Sequence, residues 1–248
     1  MRVSVVIPVK NDSRALASCL AALAAQTVAP DEVIVVDNAS TDDSGDVAAA
    51  WGARVLYEAE PGIPAASTTG YDACRFDVIA RLDADSVPPP RWIENGLARL
   101  EKEPGVDAVT GPGRFYDGPA RGSRMLGALY MGAYFHSMRL ALATVPLFGS
   151  TFFLRRSVWR EVRGSVHCWG TDLHDDVDLS IHLTPRFTIV YDTAVWVGIS
   201  SRPLTDWRTF AYRMHRGFQT LALHWPASSS VLRWRHVLLR SLAAPTSR

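Results

Sequence analysis

The sequence predicts an α/β fold in which a mostly parallel β-sheet is flanked by helices. Two observations support this prediction. Short β-branched runs alternate with helix-forming segments through the first half of the chain, and this alternation is typical of right-handed βαβ units. The runs are also apolar at nearly every position instead of at alternate ones, as expected of strands that are covered on both faces.

The elements of the first half follow in order along the chain. Strands are predicted at residues 3–7, 33–36, 54–57 and 78–82. An amphipathic helix capped by Asp12 or Ser13 follows the first strand, an alanine-rich helix follows the second, and a helix after Gly62 follows the third. Ligands of parallel sheets bind where strands end, and Asp37 and Asp83 both stand at such ends.

The second half is less regular. A helix at 91–102, a strand at 106–110, a strand at 151–154, a helix at 157–162 and a strand at 187–191 are predicted. The apolar stretch 125–147 is interpreted as a core helix with a broad apolar face, while contact with a membrane surface or with a second copy of the chain stays open. No run reaches the roughly 18 apolar residues of a membrane-spanning helix.

The composition limits the classes of protein to consider. With 248 residues, 48% hydrophobic and 21% charged, the chain can bury a large core and is not expected to be disordered. A net charge of +1 gives no reason to expect nucleic acid as a partner. Three cysteines without paired spacing argue against a disulfide framework and a zinc ribbon, and favour the cytoplasm.

Two carboxylates, Asp83 and Asp85, directly follow the strand at 78–82. Carboxylates at this spacing can both reach one hard divalent cation, Mn²⁺ or Mg²⁺, because such ions prefer oxygen ligands. The triplet alone proves little, since 18 aspartates give about one such triplet by chance. Asp37, after the second strand, could accept hydrogen bonds from a nucleotide base or ribose.

Five segments in order resemble the family 2 glycosyltransferases of the GT-A fold, a Rossmann-like architecture with a smaller acceptor-side region. The resemblance covers roughly residues 2 to 200 and is more specific than any single triplet. The segments are VVIPVKN at 5–11, VVDNASTD at 35–42, LDADS at 82–86, GSTFFLRRS at 149–157 and DDVDLS at 175–180.

The resemblance implies roles for the first three segments. Asp37 would contact the nucleotide base, and the first-strand loop would line the same pocket. In the triplet, Asp83 would hold the ribose or the metal ion, Ala84 would lie against the nucleotide, and Asp85 would be the firmer metal ligand. The loop residues assigned to the pocket are Pro8, Val9 and Asn11.

The acidic segment implies the catalytic base. Asp176 would remove the proton of the acceptor hydroxyl, and Asp175, in place of the family's usual Glu, is the reserve candidate. The implied reaction is a metal-assisted, inverting transfer of a hexosyl group from a nucleotide-diphosphate sugar. The acceptor could be a glycan, a small molecule or a polyprenyl lipid at the inner face of a membrane, where the protein would be peripheral.

The chain also departs from the family pattern. Ser67 and Thr68 stand where members often carry an Arg-Asn pair, so Arg81 is a substitute for the missing arginine, and His182 replaces a common arginine. No Gln-x-x-Arg-Trp signature occurs, which favours transfer of one sugar over polymerisation. Two alternatives stay open: an inactive nucleotide-sugar binding or scaffold protein, and a nucleotidyltransferase.

Three segments are expected: a nucleotide-sugar-binding half at 1–110, an acceptor and catalytic-base half at 111–205, and a helical or lid tail at 206–248. In the tail, His215 could join the diphosphate or metal site, although a solvated basic turn is the alternative. His167, Cys168 and Trp169 could shape the acceptor pocket or could simply pack.

Overall fold

The computed structural model describes residues 1–117, 123–201 and 207–243. Its main feature is a seven-stranded sheet with the order β3-β2-β1-β4-β7-β5-β8. The strands are β1 (Val3–Val9), β2 (Glu32–Asp37), β3 (Arg54–Tyr57), β4 (Val78–Leu82), β5 (Ala108–Thr110), β6 (Gly113–Phe115), β7 (Thr151–Arg155), β8 (Ile189–Tyr191) and β9 (Val197–Ile199). The predicted α/β class is therefore confirmed.

Helices connect these strands. Those of the described residues are α1 (Ser13–Ala24), α2 (Ser44–Ala50), α3 (Ile63–Ala73), α4 (Trp92–Lys102), α5 (Ser123–Leu142), α6 (Arg156–Val162), α7 (Asp175–Leu183), α8 (Trp207–Leu223) and α9 (Ser230–Ala243). The strands predicted at 106–110 and 187–191 are shorter in the structure, because β5 and β8 begin at Ala108 and Ile189.

Strand β1 shows why the first half reads as continuous apolar runs. Val5 and Ile7 belong to a core cluster that also contains residues of α1 and α4. Val6, between them, belongs to a second cluster with residues of α3, α6 and α7. Successive side chains of a strand point to opposite faces, so a strand between two helical layers must be apolar at every position.

The placement of β7 positions the site. Strands β1 to β4 are parallel to one another, whereas β7 runs antiparallel to both β4 and β5. In the β4–β7 register Leu82 lies opposite Thr151. The end of β4 therefore meets the beginning of β7, and the loop residues just outside both strands come together.

The stretch 125–147 is predicted to be a core helix with a broad apolar face, and in the structure only one side of its helix, α5, is buried. Helix α5 contacts β6 and α9, and it buries Met131 and Leu142 while leaving Met125, Leu129 and Leu140 between 54% and 69% exposed. Its aromatic residues Tyr130, Tyr134 and Phe135 are partly buried against the core cluster that contains residues of β1, so the apolar residues of α5 are divided between a buried and an exposed side. In the described part of the chain, no helix combines the length and apolarity needed to cross a bilayer.

Candidate active site

A cavity of about 520 Å³ lies at the carboxyl ends of β1 and β4. It is lined by three groups of residues: the ends of these strands, the beginnings of α3 and α7, and part of α8. The lining side chains with polar or charged groups are Lys10, Asp12, Asn38, Arg81, Asp83, Asp85, Ser150, Thr171, His174, Asp175, Asp176, Tyr212, Arg213 and Arg216. Pro8, Val9 and Ala84 also line it.

The two carboxylates that follow β4 both line this cavity. Asp83 accepts hydrogen bonds from Nη2 of Arg81 at 2.8 Å and from the hydroxyl of Ser150 at 2.7 Å. The backbone carbonyl of Asp85 accepts a hydrogen bond from the Tyr116 hydroxyl at 3.2 Å. Both oxygens of Asp83 are thus engaged by protein groups.

Arg81 is the one arginine of β4, and its side chain is only 1% exposed. Besides Asp83, its Nη2 lies 3.7 Å from the carboxylate of Asp175. Its Nε and Nη1 have no hydrogen-bond partner among the described residues. Arg81 also lines the cavity, and a guanidinium group beside a binding site can attract an anion, so this position suits the substitute role that the sequence suggested.

Asp175 and Asp176 open helix α7 and face the same cavity. Asp176 accepts hydrogen bonds from the backbone N–H groups of Gly149 and Val177, both at 2.8 Å, so its carboxylate is held in place. Asp175 accepts one from the hydroxyl of Ser67 at 2.7 Å. Ser67, which departs from the family pattern, therefore contacts the acidic pair directly.

Burial raises the pKa of the Asp176 carboxyl, and the neighbouring charge of Asp175 raises it further. Both effects disfavour the ionised form. A carboxylate whose proton affinity is increased in this way is a stronger base than an exposed aspartate, as general-base catalysis requires.

Positive charge reaches the cavity from helix α8. Arg213 and Arg216 line it, and the Nε of Arg216 has no hydrogen-bond partner among the described residues. The helix is docked on the segment before α7, because the His174 ring bonds the Arg213 carbonyl at 2.9 Å and the His174 backbone N–H bonds the Thr220 hydroxyl at 2.9 Å. The sequence pointed to the basic segment of this tail but did not assign these two arginines.

Asn11 and Asp37 are not among the residues that line the cavity. Asn11 has a φ of 53°, and its side-chain oxygen accepts a hydrogen bond from the Thr41 backbone at 2.6 Å. Asp37 accepts one from the Ser40 backbone at 2.9 Å. Both residues shape the loops at the ends of β1 and β2, and their predicted contacts with a nucleotide stay predictions.

Asn38, the neighbour of Asp37, has a clear structural role at the cavity. Its amide donates to the backbone carbonyls of Glu58 and Glu60, and its oxygen accepts from the N–H of Gly62 at 2.9 Å. Gly62 has a φ of 123°, a conformation that favours glycine. Together they fix the beginning of α3 at the cavity wall. The sequence indicated the turn here but not this function of Asn38.

Residues 4–163 match the sequence model of Glycosyl transferase family 2. The chain therefore belongs to this family, and the family assignment predicted from the sequence is confirmed. Over 109 residues the chain is 39% identical to an uncharacterized glycosyltransferase of Mycobacterium bovis, covering 44% of this chain and 47% of that protein.

A second relative is the undecaprenyl-phosphate 4-deoxy-4-formamido-L-arabinose transferase of Pseudomonas fluorescens, 34% identical over 117 residues, or 43% of this chain and 34% of that protein. The chain thus spans less than half the length of these curated relatives.

Among solved structures, glucosyl-3-phosphoglycerate synthase from Mycobacterium tuberculosis, in complex with Mn²⁺, UDP and glucosyl-3-phosphoglycerate, superposes with a TM-score of 0.58 at 22% identity. The match covers 87% of this chain and 79% of that chain. At this level of identity the similarity concerns the fold, and it supports the GT-A architecture.

Proposed function

We propose that the chain transfers one sugar from a nucleotide-diphosphate sugar to an acceptor hydroxyl with inversion at the anomeric carbon. The observation that supports this proposal is the convergence of two acidic pairs on one cavity. Asp83 and Asp85 come from the end of β4, and Asp175 and Asp176 come from the beginning of α7. One pair can bind the metal ion that holds the sugar donor, while the other can contact the acceptor hydroxyl.

The carboxylate oxygens at the end of β4 are suitable ligands for a divalent metal ion. Asp83 and Asp85 supply carboxylate oxygens, the ligands that Mn²⁺ and Mg²⁺ prefer. We assign Asp85 as the firmer ligand, as the family resemblance implies, and Asp83 to the ribose or the metal ion. A metal ion at this place would neutralise negative charge on the departing diphosphate. The related synthase structure contains Mn²⁺ together with UDP, which agrees with this assignment.

The protein groups around the diphosphate position would be cationic. Arg81 lines the cavity at the end of β4, and Arg213 and Arg216 approach from α8. Guanidinium groups suit phosphate oxygens because their planar donors can bond two oxygens at once. Pro8, Val9 and Ala84 would line the nucleotide side, with Asp37 and Asn11 assigned to the base as the family resemblance implies.

Asp176 would accept the proton of the acceptor hydroxyl. Its carboxylate is oriented by the N–H of Gly149, and its raised pKa favours proton uptake. A positioned general base accelerates such a step by typically about 10²–10⁴-fold. Asp175 is the second candidate, but the Ser67 hydroxyl and Arg81 already contact its carboxylate.

The acceptor side is proposed at the coarser level of a hydroxyl-bearing glycan, small molecule or polyprenyl lipid. A cytoplasmic place, peripheral association with a membrane, and a homo-oligomer remain proposals, as does the division at residues 110 and 205. The match to a glycosyltransferase family disfavours the nucleotidyltransferase alternative. An inactive nucleotide-sugar binding protein is distinguished by measuring turnover.

The proposal is tested by thermal unfolding with a panel of nucleoside diphosphates and nucleotide sugars, each with and without Mn²⁺ or Mg²⁺. A ligand at 100 times its Kd stabilises the folded state by about 2.7 kcal/mol, or roughly 5–10 °C in Tm for a chain of this size. We expect such a shift for at least one metal–nucleotide pair. No shift with any member of the panel would contradict the proposal.

The metal assignment is tested with Asp85→Ala and a matched control, Asp46→Ala. Asp46 is an exposed aspartate in the first turn of α2. We expect Asp85→Ala to lose the metal-dependent part of the Tm shift and Asp46→Ala to keep it. An unchanged metal response in Asp85→Ala would refute the assignment. Hydrolysis or transfer of the stabilising nucleotide sugar by the wild-type chain, followed by release of the nucleoside diphosphate, would exclude the inactive-binder alternative.

A further inference from the structure

A second group of potential metal ligands lies outside the cavity. It comprises His167, Asp178, His182 and His224, called here the His/Asp cluster, whose ligating atoms all lie within 4.8 Å of one another. Asp178 and His182 are one turn apart on α7, and His167 lies in the connection between α6 and α7. His224 directly follows α8. Residues from three separate parts of the chain therefore converge.

The distances within the cluster are close to those of a tetrahedral metal site. With metal–nitrogen and metal–oxygen bonds of about 2.0–2.1 Å, neighbouring ligands of a tetrahedral ion stand about 3.3 Å apart. The Nε2 atoms of His224 and His182 are 3.3 Å apart. Oδ1 of Asp178 lies 3.1 Å from His224, 3.7 Å from His182 and 2.8 Å from Nδ1 of His167.

The tautomer of His224 gives a second, independent reason. Its Nδ1 lies 2.8 Å from the backbone carbonyl of Thr220, and a carbonyl can only accept, so Nδ1 carries the hydrogen. In the neutral ring the Nε2 lone pair then points at Asp178 Oδ1 and His182 Nε2. These electron pairs repel unless a proton or a metal ion lies among them, and a Zn²⁺ titration distinguishes the two. Metal-ligating histidines typically donate their other ring N–H to a carbonyl in this way.

The carboxylate at the centre is fully buried. The side chain of Asp178 is 0% exposed, and its second oxygen accepts a hydrogen bond from the backbone N–H of His167 at 2.9 Å. A buried carboxylate must be paired or bound to a metal. Its first oxygen, which faces all three imidazole rings, provides the remaining ligand of a closed four-ligand set.

We propose that the His/Asp cluster binds one structural Zn²⁺ ion, which cross-links α7 to the end of α8. Three imidazole nitrogens and one carboxylate oxygen favour Zn²⁺ over Mg²⁺ or Mn²⁺, because the latter ions prefer oxygen ligands. This site is separate from the carboxylates after β4, which offer oxygen alone. The two sites would therefore select different metals.

The cross-link has a consequence for the cavity. Helix α7 begins with Asp175 and Asp176, whereas α8 supplies Arg213 and Arg216. A metal ion bound near His224 would fix the far end of α8 against α7. It would thereby hold the arginines over the acidic pair without contacting any group that reacts.

The test uses the full chain prepared without a histidine tag and stripped of metal with a chelator. Zn²⁺ is titrated in competition with a chromogenic chelator, and Co²⁺ is then substituted to read the coordination from its visible spectrum. We expect a single Zn²⁺ per chain, a higher Tm with Zn²⁺, and the intense absorption of four-coordinate Co²⁺. Absence of a competing Zn²⁺ site, or the pale spectrum of six-coordinate Co²⁺, would overturn the proposal.

Variants locate the ion. His182→Ala and His224→Ala should each weaken Zn²⁺ binding by more than the roughly 10–100-fold that is lost when a residue hydrogen-bonded to a metal ligand is removed. His236→Ala removes an exposed histidine of α9 and should bind Zn²⁺ as the wild type does. Asp85→Ala should also retain Zn²⁺, which separates this proposal from the donor-site assignment.

Retention of Zn²⁺ by both cluster variants, or its loss in Asp85→Ala, would place the ion elsewhere and refute the proposal. If an alanine variant does not fold, His182→Gln replaces it as a polar side chain of similar reach, and the wild-type Co²⁺ spectrum provides a reading that needs no variant.

Discussion

Replacing Asp176 by asparagine separates catalysis from folding and donor binding. The side chain is buried, and its two oxygens accept hydrogen bonds from the backbone N–H groups of Gly149 and Val177. Asparagine keeps the shape and one of these acceptors, but it cannot take up a proton. Because burial and Asp175 disfavour the charge of Asp176 and raise its pKa, removing that charge should offset part of the cost of the one backbone hydrogen bond that asparagine loses.

The expected loss of catalytic rate follows from the role of a general base. Removing it should reduce kcat by about 10²–10⁴-fold, which corresponds to about 2.7–5.4 kcal/mol of transition-state stabilisation at 1.36 kcal/mol per tenfold. The dissociation constant of the nucleotide-sugar donor should stay unchanged, since Asp176 is assigned to the acceptor. The result expected is therefore a loss in kcat without a loss in donor affinity.

The assay measures release of the nucleoside diphosphate as a function of donor and acceptor concentration, with donor binding measured separately by calorimetry. Asp175→Asn is the paired variant and Asp46→Asn the surface control. Full activity of Asp176→Asn together with inactivity of Asp175→Asn would move the role to Asp175. Loss of donor binding in Asp176→Asn would refute the division between the two acidic pairs.

Two further predictions concern the scaffold. In Gly96→Ala the added Cβ would lie 2.4 Å from ring atoms of Phe153. Overpacking that costs about 1–3 kcal/mol should exceed the gain in helix propensity of about 1 kcal/mol, so denaturant unfolding should show net destabilisation. An unchanged unfolding midpoint would contradict this packing. Asp117 accepts hydrogen bonds from Ser200 and Ser201; although burial opposes the charge, these bonds lower its pKa. The ionised Asp117 carboxylate should stabilise the fold at pH values above the pKa that this group has in the unfolded chain. This contribution should vanish as the pH falls through the lower pKa that the group has in the folded state. The stability difference between wild type and Asp117→Asn should therefore shrink in acid, and a constant difference would refute the linkage.

Much of the site was predictable because the motif residues follow strands. Asp83 and Asp85 come directly after an apolar run, and in parallel sheets the ends of strands are where ligands bind. Asp175 and Asp176 were predictable through the family resemblance of their segment. All four line one cavity in the structure, although their individual roles stay proposals.

Other parts of the site depend on pairings that the sequence does not reveal. The hydrogen bond between Ser150 and Asp83 exists because β7 enters the sheet antiparallel beside β4. The contact of Ser67 with Asp175 joins residues 108 positions apart. The extent of burial of the apolar stretch 125–147 was also not predictable, since apolar residues are buried only where a neighbouring element covers them.

The sequence by itself determined the α/β class, the alternation of strands and helices, the family and the strand ends that carry the acidic residues. These properties follow from local periodicity and from motifs a few residues long. The tertiary structure alone decided that the Arg81 side chain is buried, that α8 brings Arg213 and Arg216 to the cavity, and that His167 and His224 meet Asp178 and His182 of α7. Such contacts depend on how whole elements pack, and packing is set by long-range pairing that no local pattern specifies.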